Sequence, residues 1–211
     1  MSLHLRMFPR VRSTLSNHKT DNTFHLDQGA MNTAVADTLP PRIPSVPHWP
    51  VTPPPPNPAA ASYLIVAIGA LESTARVVNQ WISQAGETAP TQLLTLDSME
   101  SSTDRAALVR ALDCAYTGVR ILVTGGQYDV IVALTAARDH GAIACELTGF
   151  AVHTRDAPVY CAHCRNTFRA QAEPGELIMC AHCARTLEIH EHFTSALGSF
   201  LASDAHAREI V

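Results

Sequence analysis

Two copies of one tetrapeptide, CAHC, restrict this chain more than any other feature. Cys161 and Cys164 are followed, after fifteen residues, by Cys180 and Cys183, a C-x2-C-x15-C-x2-C array. Two residues between thiolates let one tight turn offer both sulfurs to one ion, and two such turns facing each other complete a tetrahedral shell at ~2.3 Å. The array predicts a structural Zn2+ held by Cys161, Cys164, Cys180 and Cys183 in a small ribbon-like module. Such a module buries little apolar surface, and a structural zinc supplies ~10–16 kcal/mol at neutral pH, enough to decide whether it folds. Four thiolates leave no open position for water, which argues against a hydrolytic zinc.

Iron in the same four-sulfur cage is the alternative, a one-electron carrier of the rubredoxin kind. Rubredoxin knuckles place Gly after the second Cys, where this chain has Arg165 and Ala184. A thioredoxin-like disulfide is disfavoured because neither CAHC opens a helix after a strand. The intervening "RNTFRAQAEPGELIM" reads as a hairpin turning at Pro174-Gly175, with Phe168 and Leu177 or Ile178 as its apolar content. His163 and His182, inside the knuckles, are expected to face solvent. His190 and His192 of "EIHEH" would share one face of a strand, as a surface feature or a second metal site. The closing "TSALGSFLASDAHAREI" is read as a short helix, giving a module over residues 155–211. Cys114 and Cys145 stand singly in apolar contexts and are expected to be buried.

Upstream, residues 62–154 change character. "SYLIVAIGA", "TQLLTLD", "VRILVTGG" and "AIACELTGF" are apolar runs of strand length. Between them lie three helical stretches: "LESTARVVNQWISQAG", with Leu71, Ala75, Val78 and Ile82 at helical spacing, "STDRAALVRALDCAYTG", capped by Ser102 or Thr103, and "QYDVIVALTAARDHG". Strands alternating with helices of about a dozen residues imply an α/β domain with a parallel sheet of three or four strands and right-handed crossovers. In such sheets ligands collect beyond the carboxyl ends of the strands. The loops there, at Gly69, Asp97-Ser98 and Thr124-Gly125-Gly126, match no GxGxxG, Walker or nucleophile-elbow sequence.

The N-terminal part is built differently. Residues 1–38 lack sustained periodicity and are expected to be a disordered tail, with Met31 an alternative start and a mitochondrial presequence the sharper alternative. Residues 39–61 hold ten of the fourteen prolines, which favours an extended arm or linker, with Trp49 and Val51 as the side chains that a partner's groove would receive. No apolar run approaches the ~20 residues of a membrane-spanning helix. Together with the absence of a secretory leader and with paired cysteines read as metal ligands, this gives an expected cytoplasmic location. A net charge of −4 and a pI near 6.2 supply no basic field for a polyanion, so nucleic-acid binding is not expected.

Two resemblances extend these readings. "YLIVAIGALESTARVVNQW" and "RILVTGGQYDVIVALTAARDHGAIACELTGF" look like the nicotinamide-binding half of ferredoxin reductases, a Rossmann-like domain. By position, Ile68-Gly69 matches that family's first turn, Thr124-Gly125-Gly126 its CGP turn, and Glu146 its terminal acidic residue. The resemblance implies Gly69, Thr124, Gly125 and Gly126 as candidate NAD(P)H contacts. The first turn lacks the family's second Gly and its Thr-Pro, and Thr124 and Gly126 replace the Cys and Pro of CGP.

Residues 62–202, most specifically the second knuckle followed by "LEIHEHFTSALGSFLA", resemble the small zinc-ribbon subunit of bacterial dimethylamine monooxygenase. That resemblance implies an accessory subunit of a hetero-oligomer using NAD(P)H and O2 to convert dimethylamine to methylamine and formaldehyde. Haem would lie on an oxygenase subunit, and FMN and an iron–sulfur cluster on a reductase subunit. This chain would serve assembly, or complete a nicotinamide or flavin site. The alternatives are a zinc-ribbon regulator or adaptor and an independent iron electron carrier.

Overall fold

A computed structural model describes residues 46–207. The tail over 1–38, the question of Met31, the first part of the arm and the last four residues lie outside the described residues.

Four strands, β1 (Ser62–Ile68), β2 (Thr91–Leu96), β3 (Val119–Gly126) and β4 (Leu147–His153), form a parallel sheet in the order β2-β1-β3-β4. Helices α1 (Glu72–Gly86), α2 (Ser102–Asp113) and α3 (Gln127–Asp139) make the crossovers. The central strands are mainly apolar because both faces are covered. Leu64, Val66 and Ile68 of β1 pack with Ile121 and Val123 of β3 against α2 and α3, whereas Tyr63, Ile65 and Ala67 pack with Leu122 and Phe150 against α1. The expected α/β architecture is present with four strands.

Local details differ from the expectations. Helix α1 buries Thr74, Val77, Val78, Trp81 and Ala85. Leu71 is 41% and Ile82 37% exposed, so the apolar stripe turns about one residue from the expected one, drawn by fully buried Trp81. The cap of α2 is Ser101, whose side chain accepts from the Asp104 amide at 3.2 Å. A 3-10 turn (Ala144–Glu146) delays the last strand to Leu147. Cys114 and Cys145 are exposed, not buried, since one ends α2 and the other lies in that turn.

The described end of the proline-rich segment lies on its own domain. Trp81 Nε1 donates to the Pro54 carbonyl and Trp49 Nε1 to Gln127 Oε1, both at 2.8 Å. Trp49 also packs on the α2–α3 side of the core. The indole expected to reach a partner is engaged within the chain, while Val51 is 97% exposed.

The second sheet has five strands: β5 (Ala157–Cys161), β6 (Thr167–Ala170), β7 (Leu177–Met179), β8 (Thr186–Thr194) and β9 (Ser199–Asp204), in the order β6-β5-β9-β8-β7. Two expectations are corrected. The segment between the cysteine pairs is not a hairpin, because β6 pairs with β5 and β7 with β8, on opposite edges of the sheet. Pro174-Gly175 does turn, with Gly175 at φ +93, but its amide bonds to Ile189 of β8 at 2.7 Å.

Residues 199–204, expected to be helical, instead form the central strand of this sheet, parallel to β5 and antiparallel to β8. Gly198 at φ +59 turns the chain into β9, and Phe200 and Ala202 enter the core beside Val159, Leu187 and Ile189. Non-local pairing overrides the weak helical preference of this stretch.

Candidate metal centre and the crevice of the parallel sheet

Each CAHC is the turn of a hairpin: the first joins β5 to β6, the second β7 to β8, and β9 fills the gap between the hairpins. The knuckles repeat one hydrogen-bond pattern. The Arg165 amide donates to the Cys161 carbonyl (2.8 Å) and the Cys161 amide to the Asn166 carbonyl (3.0 Å). The Ala184 amide likewise donates to Cys180 (3.0 Å) and the Cys180 amide to Arg185 (2.9 Å). Arg165 (φ 59) and Ala184 (φ 57) occupy the left-handed region usually left to glycine. The missing glycines therefore do not prevent the knuckle conformation and do not count against iron.

All four sulfurs lie within 4.8 Å of one another. Sγ of Cys161 is 3.8 Å from that of Cys183, and Sγ of Cys164 is 3.7 Å from that of Cys180. A tetrahedron of ~2.3 Å metal–sulfur bonds has edges of about 3.8 Å, so this spacing fits a single ion. Cys161 and Cys180 are buried, Cys164 and Cys183 partly so. Electrostatics agree. Burial opposes ionisation of Cys164, but hydrogen bonds from the Asn166 side chain and backbone outweigh it and pull this thiol down to about 6. At Cys183 the Arg185 amide favours the thiolate, yet burial and the three neighbouring sulfurs push it up to about 12. Without a cation the cluster resists full ionisation; a divalent ion would remove that conflict.

Among the described residues this is the one group of three or more His, Cys, Asp or Glu side chains close enough to hold a metal. His163 and His182 are exposed, as expected, and His182 meets the edge of Phe168 with ring centroids 6.1 Å apart. His190 and His192 fall within an irregularity of the β8–β9 pairing. His190 Nε2 bonds Ser203 Oγ at 2.8 Å, and His192 is exposed.

The four candidate dinucleotide residues lie at the carboxyl end of the parallel sheet, but three of them face protein. Gly69 (φ +83) is open on its outer side. Thr124 is fully buried. A Cβ at Gly125 would stand 2.8 Å from the Ile68 carbonyl, and one at Gly126 would stand 2.7 Å from the His153 ring and 3.3 Å from Asp156 Oδ1. These glycines admit a neighbouring strand and a histidine where a nucleotide-binding turn would leave room for phosphate. Glu146, matched by position to the reductases' terminal acidic residue, sits in the 3-10 turn before β4, where its carboxylate accepts from the Ile143 amide at 3.2 Å.

A group not anticipated from sequence fills the crevice. Arg169, from β6, donates to Asp156 Oδ2 at 2.6 Å, Asp129 Oδ1 at 2.7 Å and Ser98 Oγ at 3.0 Å, and its Nε pairs with Glu100 at 3.0 Å. Its guanidinium also lies 4.3 Å from the centre of the Tyr128 ring. Asp129 and Asp156 are almost wholly buried. Burial alone would lower the Arg169 pKa, but the Asp129 and Asp156 carboxylates outweigh it and hold the group firmly protonated. Asp129 further accepts the Met99 amide at 2.8 Å. Beside this cluster is a cleft of about 350 Å3 lined by His153, Arg155, Asp156, Arg169 and Gln171, without an apolar wall for a nicotinamide or adenine ring. The residues present do not fit a dinucleotide. One signal was readable: the "QYD" that opens α3 puts an acid at the helix terminus where a phosphate would lie.

Residues 158–202, almost all of the second sheet, match the family described as "Dimethylamine monooxygenase subunit DmmA-like, C-terminal domain". The chain is also 28% identical over 150 residues, 71% of its length and 83% of the relative's, to the "Heme-dependent oxidative N-demethylase delta subunit" of Ectopseudomonas mendocina (strain ymp). No solved structure gives a significant match.

Proposed function

We propose that this chain, a member of the DmmA-like family through its C-terminal domain, is an accessory subunit of an oxidative N-demethylase that acts on dimethylamine. The observation that carries the reading is the closed tetrathiolate geometry at Cys161, Cys164, Cys180 and Cys183. A metal there has four sulfur ligands and no position for O2, water or amine, so it braces the second sheet rather than reacting. Zn2+ suits this role, since it has no redox chemistry and accepts the tetrahedral site without strain. The similarity to a heme-dependent demethylase delta subunit supports placement in a multi-subunit complex. Haem, flavin and iron–sulfur chemistry are assigned to partner subunits: an oxygenase and a reductase that takes electrons from NAD(P)H. Among the described residues no helix is long and apolar enough to cross a membrane.

The test is a pull-down of the tagged chain from source cells grown on dimethylamine. Stoichiometric partners bringing haem and flavin absorption are expected. A colourless chain carrying zinc alone would favour the regulator or adaptor reading, and a thiolate-to-iron band from the isolated chain would favour the electron carrier.

A further inference from the structure

We infer that the crevice at the carboxyl end of the parallel sheet has become an intramolecular socket for Arg169, which locks the metal-bearing sheet onto the α/β domain and closes the chain to nicotinamide nucleotides. The charges of the site carry this. A pyrophosphate calls for backbone amides and positive charge at a helix N-terminus. Here the first turn of α3 presents Asp129, and Asp156 and Glu100 complete a set of three carboxylates around the position. Such a set suits a planar cation with several donors. Arg169 supplies one, its fork reaching Asp129 and Asp156 on different elements while Tyr128 stacks on its face.

The socket's floor depends on the same residues. The 98–100 loop is held by Asp129 through the Met99 amide and Ser98 Oγ, and by Arg169 through Ser98 Oγ and Glu100. A second contact lies along α3, where Gly198 of the turn into β9 presses against Thr135 with no room for a Cβ. Fixed at these two points, the second sheet is held in register with α3. The two sheets thus form one preassembled body. The inference stands on the geometry of this chain alone, whether or not it joins a demethylase.

Two measurements on the metal-loaded full chain test it. Calorimetric titration with NADH and, separately, NADPH is expected to show no saturable binding up to about 1 mM; a Kd below about 100 µM for either would overturn the closed crevice. Hydrogen exchange is then compared among the wild type, Arg169→Lys and Arg169→Met. Exchange of the 97–101 loop amides is expected to quicken by tenfold or more in the Met variant and less in the Lys variant, which keeps one charge but loses the fork. Unchanged exchange in both variants would overturn the lock. If Arg169→Met fails to fold, the Lys variant and the wild-type titrations still decide.

Discussion

The parallel sheet and the five-stranded sheet both enclose apolar side chains, and they do so by different means. The first buries large residues on both faces, with Trp81, Tyr63, Ile65, Ile121 and Leu122 fully enclosed. At roughly 1.5–3 kcal/mol for each fully buried large apolar side chain, that interior is a large favourable contribution distributed along the chain. The second has a thinner interior of Val159, Phe168, Leu187, Ile189, Phe200 and a few alanines, continuous with the buried sulfurs of Cys161 and Cys180. On the zinc reading proposed above, a metal at the four-sulfur site holds the two hairpins beside β9. On that reading the stability of one sheet is spread over many contacts, whereas that of the other is concentrated at one point.

Breaking that point gives the largest expected effect. If the site holds zinc as proposed, Cys161→Ser or Cys180→Ser removes a buried ligand and most of the ~10–16 kcal/mol that a structural zinc contributes. The second sheet is expected to become protease-sensitive while the fragment around residues 62–150 survives; a resistant second sheet would show that its core suffices. The complementary break is Trp81→Ala, which empties a fully buried site and removes the bond to Pro54. It is expected to lower unfolding stability by about 3–5 kcal/mol in denaturant titration, with metal content below the transition unchanged.

A smaller change sharpens the contrast. Arg165→Gly and Ala184→Gly relieve left-handed backbone at the knuckles and are expected to raise the thermal midpoint of the metal-loaded chain by the equivalent of up to ~1 kcal/mol each. A lower midpoint would show that the side chains contribute more than the backbone strain. The least effect is expected at Cys114→Ser and Cys145→Ser, since both thiols are exposed and outside the sulfur cluster. Stability should stay within ~0.5 kcal/mol of wild type, and metal stoichiometry should not change.

The two sheets were unequally legible in the sequence, for the same physical reason that separates their stabilities. Strands β1 and β3 are largely apolar runs because both faces are covered, and short crossovers leave few alternatives for their order. That the four thiols come together was legible from spacing alone. The strands around them were not: β9 pairs with β5, some forty residues upstream, and local pattern carries no record of such a partner. Phe200, Ala202 and Gly198 read equally well as pieces of a helix until that pairing is known. Arg169 was missed for a related reason. Its three acidic partners are scattered along the sequence at Glu100, Asp129 and Asp156, and only the fold brings them together.

Hydrogen exchange of the full chain before and after removal of the metal by a chelator tests the central claim most directly. Loss of protection across β5–β9, with loosening of the 97–101 loop but retained protection in β1 and β3, is the predicted result. Protection kept in β5–β9 without metal, or lost equally from both sheets, would contradict the account.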